Sequence, residues 1–261
     1  LFRSNVINIL HGTFIVLGSY IAYFAHLYFG IHPFASVIIS GSVLFCLGYV
    51  IQAGIINRVV AAPVLMTLTL TFGLDLLLNN AMLIAFTADY RKLILTDSLG
   101  SYDLWGLILP LNRVAGVGLA ALLTFGLYRL LRDSNIGRAI VAVRMDREAA
   151  TLMGVRVNRI NAVTFALGAL MAGAAGSIFS IIYPISPINS GLFLGKAFVI
   201  CILGGLGSVP GAMIGGIALG VIESYGALFL GPEHSTTLAF VILIALLIFR
   251  PTGIMGRKGY E

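Results

Sequence analysis

Residues 146–154 read Asp-Arg-Glu-Ala-Ala-Thr-Leu-Met-Gly, side chains suited to holding a partner rather than to transforming a substrate. Asp146 supplies the carboxylate of a helix N-cap, which accepts from free N–H groups of the first turn. Gly154 suits the C′ position, where the chain leaves a helix with positive φ. Between them a two-turn helix is expected, with Met145, Ala149, Leu152 and Met153 at i, i+4, i+7 and i+8 forming one apolar face. Asp146, Arg147 and Thr151 point elsewhere, and Glu148 sits in the first turn, where a carboxylate favours the helix dipole. Two turns do not hold alone in water, so such a helix needs a surface to dock on. Ala149 and Ala150 give it the low profile that close approach requires.

The other candidates are polar side chains inside strongly apolar runs, where an ionisable group costs a few kcal/mol and is normally paired or functional. Lys196 lies twelve residues before Ser208, and Glu223 lies fourteen after Val209. A turn at Ser208-Val209-Pro210 would bring both to similar depth, so they are expected to pair across a helical hairpin, with ligand contact as the alternative. Thr67, Thr71 and Asp75 recur at i, i+4 and i+8, and Asn79 follows one turn later, next to Asn80. That stripe suits a transport pathway or a subunit interface, with hydrogen-bonded glue between helices as the alternative. Asn8 and His11, at the start of the first apolar run, are further pathway candidates.

Several chemistries are missing. There is no G-x-x-x-x-G-K-[ST] to cradle a nucleotide phosphate, and no H-E-x-x-H, C-x-x-C or G-x-S-x-G. Histidines 11, 26, 32 and 234 are too scattered for a metal site, so none is expected. Cys46 and Cys201 each stand alone in an apolar run and read as buried thiols.

The elements that must position these groups follow from composition. The 261 residues are 59% hydrophobic and 10% charged, far outside the range of soluble domains. Eight runs approach the ~20 residues that cross a bilayer: 5–29, 34–55, 62–86, 112–131, 160–183, 192–207, 210–230 and 236–250. They are continuously apolar rather than alternating, which excludes a β-barrel. The expected fold is therefore an all-α polytopic bundle in a single membrane domain, 1–261, with its largest loop at 132–159. The first residue is Leu, and the N-terminus is expected to be incomplete.

Basic residues orient the bundle. Arg3, Arg58, the seven arginines of 129–159, Arg250, Arg257 and Lys258 fall on one face; Arg91, Lys92 and Arg113 fall on the other. The positive-inside rule makes the first face, with both termini, cytoplasmic. The net charge of +6 is thus a topology signal, and no basic stripe with aromatics suggests nucleic acid. Small residues at four-residue spacing, Gly168-Ala172-Gly176 and Gly211-Gly215, suit close helix contact. Pro210 and the glycines of 204–211 are expected to bend or break the sixth and seventh spans.

Glu148-Ala149-Ala150 with Gly154 four positions later resembles the EAA loop of ABC-importer permeases. "GKAFVICILGGLGSVPGAMIGG" (195–216), "GVIES" (220–224), "RPTGIMGR" (250–257) and "NILHG" (8–12) extend the likeness to permease subunits of branched-chain amino-acid importers, the LivH type. The resemblance implies a type II-like permease in a bacterial plasma (inner) membrane, working by alternating access. It implies residues Asp146, Arg147, Glu148, Ala149, Ala150, Met153 and Gly154 seated on an ATPase subunit. The implied partners are a second permease (LivM-like or a homodimer mate), two cytoplasmic ABC ATPases and an extracytoplasmic binding protein. The chain would hold no cofactor, ATP and Mg being bound by the ATPases. Urea, amides or a sugar as cargo, and a secondary carrier or channel, are the alternatives.

Overall fold

The computed structural model describes residues 8–60, 62–93, 100–104, 107–205, 207–249 and 253–255. In chain order they form α1 (His11–Phe29), α2 (Pro33–Gly54), α3 (Val64–Phe86), β1 (Ser101–Leu104), β2 (Leu107–Pro110), α4 (Leu111–Asp133), α5 (Asn135–Met145), α6 (Arg147–Leu152), α7 (Val157–Ile182), α8 (Ser190–Gly204), α9 (Val209–Leu230) and α10 (Ser235–Phe249). Helices α1–α4 and α7–α9 supply seven stretches long and apolar enough to cross a membrane. The eighth expected span is α10, shorter at 15 residues. The termini and the basic residues Arg3, Arg250, Arg257 and Lys258 lie outside the described residues.

The chain divides into two compact units. The larger holds α1–α3, the β-hairpin, most of α4, α5–α7 and the start of α8 through Leu194. Its core joins Leu10 and Phe14 of α1, Leu44 and Ile51 of α2, and Phe165, Ala169 and Ala172 of α7. Between helices in lipid there is no hydrophobic drive, so close van der Waals contact and interhelical hydrogen bonds must do the joining. α7 uses both. A Cβ at Gly176 would stand 2.0 Å from Ile15 O, and one at Gly173 would stand 2.6 Å from Leu44 Cδ1. Ser19 donates to Gly176 O at 2.8 Å, and Ser40 to Gly173 O at 3.1 Å. The expected Gly168-Ala172-Gly176 stripe is only partly the contact. Nothing lies within 4 Å of a Cβ at Gly168, because α7 serves α1 and α2 on two faces and Gly173 takes the second.

The smaller unit holds α8 from Gly195, with α9 and α10. Val199, Leu219 and Ala239 form its core. The backbones of α8 and α9 touch, a Cβ at Gly211 falling 2.2 Å from Gly204 O. The bend or break expected here takes the form of an interruption between α8 and α9. α8 ends before Gly205, and Ser208 caps α9 by accepting from Gly211 N at 3.1 Å. Pro210 sits in the first turn of α9, where its missing N–H costs nothing.

One described element departs from the all-helical expectation. β1 and β2 pair antiparallel, Tyr102 opposite Leu109, within the connection from α3 to α4.

Candidate coupling helix and intramembrane polar groups

The loop 132–159 contains two helices rather than the one expected. α5 starts at a Ser134 cap, Gly137 N donating to Ser134 Oγ at 2.9 Å, and packs on α6 and α7. Ile136, Ile140 and Val143, at i, i+4 and i+7 behind a serine, were the available signal. α5 ends at Met145, so this residue of the expected apolar face belongs to the preceding helix.

α6 is capped by a side chain at its start and by backbone bonds at its end. Asp146 Oδ1 accepts from Glu148 N at 2.9 Å and Ala149 N at 3.0 Å. At the other end Val155 N donates to Ala150 O and Gly154 N to Thr151 O, the paired bonds of a Schellman stop. Gly154 has φ 83°, and nothing lies within 4 Å of the position a Cβ would take. Leu152 is 89% exposed and Met153 84%, so the apolar face points away from the chain, with Ala149 and Glu148 also exposed. Ala150 is only 5% exposed and turned inward. The low profile expected of two alanines is therefore Ala149's alone. Arg147, Glu148, Thr151 and Leu152 line a shallow open cavity of about 460 Å³.

Inside the spans, the polar candidates meet partners. Lys196 Nζ lies 2.8 Å from Glu223 Oε1 and donates to Oε2 at 3.1 Å, joining α8 to α9. Asp75 accepts a hydrogen bond from Thr13 of α1, and Asn79 Nδ2 donates to Ser190 Oγ at 2.7 Å. Thr67 and Thr71 are fully buried, and Thr71 Oγ1 donates to Leu68 O. Asp75 and Asn79 of the α3 stripe thus meet side chains of α1 and α8. Thr13 and Ser190 are members that sequence reasoning missed; each is an ordinary hydroxyl until Asp75 or Asn79 stands opposite. Asn8 Oδ1 accepts from Leu10 N at 3.0 Å at the entry to α1, and His11 is half-buried in its first turn. Cys46 and Cys201, expected to be buried, are free and exposed on their helices. Among the described residues no group of three or more His, Cys, Asp and Glu side chains could hold a metal ion.

Seven long apolar helices, with polar groups inside them bonded to one another, define a multi-pass membrane protein. The model of the family described as the permease component of branched-chain amino acid transport systems matches residues 1–249, and the chain belongs to that family. It is 32% identical to the high-affinity branched-chain amino acid transport system permease protein BraD of Pseudomonas aeruginosa, over 98% of this chain and 88% of that one. The LivH permease protein of Salmonella typhimurium is 31% identical with the same coverage. The LivM permease protein of Escherichia coli is 26% identical over 97% of this chain and 64% of its own length. No solved structure matches the chain.

Proposed function

We propose that this chain is the membrane-spanning permease subunit of an ATP-driven importer of branched-chain or related neutral amino acids. The observation that carries the reading is α6: a short helix fixed by caps at both ends whose Leu152, Met153 and Glu148 are presented outward. A two-turn element this exposed gains its stability from a partner, and a cytoplasmic ABC ATPase is the partner the family implies. In this reading the chain hydrolyses nothing. ATP and Mg belong to two ATPase subunits, whose closure moves α6, and the packing of α5 on α6 and α7 passes that displacement to the spans. Alternating access of a pathway shared with a second permease follows, and an extracytoplasmic binding protein delivers the cargo. The twelve-against-three division of basic residues supports a plasma (inner) membrane orientation with loop 132–159 and both termini cytoplasmic. The names of the relatives favour branched-chain amino acids over urea, amides or sugars as cargo.

The test is uptake of labelled leucine by cells carrying the complete gene set, after ATP depletion with the ion gradient clamped. The reading expects uptake to stop. Uptake that persists on the gradient alone would make the chain a secondary carrier.

A further inference from the structure

Asp75 differs from Glu223, the other carboxylate set deep in an apolar helix. Glu223 has a cation beside it, Lys196 Nζ at 2.8 Å. Asp75 accepts a hydrogen bond from Thr13 and, among the described residues, enters no ion pair. It is the middle residue of α3 (Val64–Phe86), ~16 Å from either end at ~1.5 Å per residue. A carboxylate at that depth with one hydroxyl for company is costly, and ionisable groups inside a span normally pair or serve a pathway. Its surroundings are rich in acceptors. Asn79, one turn on along the same face, gives Nδ2 to Ser190 Oγ at 2.7 Å, while its Oδ1 is buried without a partner. An acceptor left unmatched inside a protein is destabilising. Both residues are half-buried rather than sealed in the core. Three helices build the site: α1 brings Thr13, α3 brings Asp75 and Asn79, and α8 brings Ser190. Gly12, next to Thr13, packs on α8 so closely that a Cβ there would stand 2.1 Å from Ser190 O.

A carboxylate and a carboxamide oxygen one turn apart suit a compact cation with several donors. An ammonium group carries one charge and three N–H donors. A proton would neutralise Asp75 but leave Asn79 Oδ1 unmet. We infer that Asp75 binds the α-ammonium group of the transported amino acid, with Asn79 Oδ1 as the neutral acceptor beside it and Thr13 and Ser190 holding the two side chains in place. The inference rests on the proposed importer and deepens it. The permease itself, and not the binding protein alone, then recognises the amino end of the cargo.

The test measures binding of labelled leucine to the complete permease–ATPase assembly in nanodiscs, with the binding protein left out. On the unaltered chain, isopentylamine, which keeps the ammonium and lacks the carboxylate, should displace leucine, and isocaproate, which does the reverse, should not. Asp75→Asn should weaken leucine binding by about tenfold or more and lower uptake, while folded yield and binding-protein-stimulated ATP hydrolysis persist. Asp75→Glu keeps the charge and should recover part of the loss. The competition arm needs no substitution, so it decides the matter even if Asp75→Asn does not assemble. Isocaproate displacing leucine as well as isopentylamine does, wild-type binding in Asp75→Asn, or no saturable leucine binding in the wild type would each overturn the inference. The carboxylate would then serve a proton or a lysine of a partner chain, and the importer would stand. If the wild-type assembly shows no ATP-dependent leucine uptake, both fall.

Discussion

Removing either partner of the Lys196–Glu223 pair leaves a charge among apolar helices. Their side chains are 33% and 24% exposed, so the loss falls between the ~1 kcal/mol of a surface pair and the ~3–5 kcal/mol of a buried one. Lys196→Met and Glu223→Gln should each lower folded yield in detergent, and the double change should recover part of it. A double mutant as poor as the sum of the singles would show that the two side chains act independently. Gly176→Val is the steric counterpart. Its Cβ would meet Ile15 O at 2.0 Å, so α1 and α7 must separate, and overpacking of this kind costs ~1–3 kcal/mol or more. A thermal midpoint equal to wild type would refute that packing. At this scale the ion pair was legible, since its depth follows from a turn position and the helical rise alone. Thr13 and Ser190 were not, because the hydroxyls gain meaning only from Asp75 and Asn79, which are distant in sequence.

Helices announce themselves when an apolar run is long and its ends carry caps. Asp146 and Gly154 marked α6 within one residue, and every span lies inside or close to its expected run. The β-hairpin was hidden because four-residue strands give too few alternations to separate from an apolar loop. α5 was missed because its arginines, Arg138 and Arg144, were read only as a topology signal. The polar stripe of α3 shows the deeper limit. Sequence fixes which residues share a face, but only packing tells which face is inward. Asp146→Ala should cost α6 ~0.5–2 kcal/mol by leaving Glu148 N and Ala149 N without their acceptor. Hydrogen exchange at those two amides should quicken, with the spans unaffected. Unchanged protection there would mean the cap does not hold the helix.

For the whole molecule, orientation is the first claim to check. A cysteine at Asn135, the exposed first residue of α5, should react with impermeant thiol reagents only in inverted vesicles, in a chain lacking Cys46 and Cys201. Labelling from outside intact cells would reverse the topology and detach α6 from any cytoplasmic partner. The central claim is that α6 couples an ATPase to the spans, and Gly154 tests it most directly. Its φ of 83° excludes a β-branched residue, while the open space around it accepts one, so any effect of substitution arises from backbone conformation. Asn tolerates this region where Val does not. The decisive measurement is binding-protein-stimulated ATP hydrolysis, together with leucine uptake, by complexes reconstituted in vesicles. Gly154→Val and Glu148→Lys should lose ATPase association or uncouple hydrolysis from uptake at normal membrane levels, and Gly154→Asn should stay close to wild type. Wild-type association, hydrolysis and uptake in Gly154→Val and Glu148→Lys alike would contradict the account and leave α6 a linker between two spans.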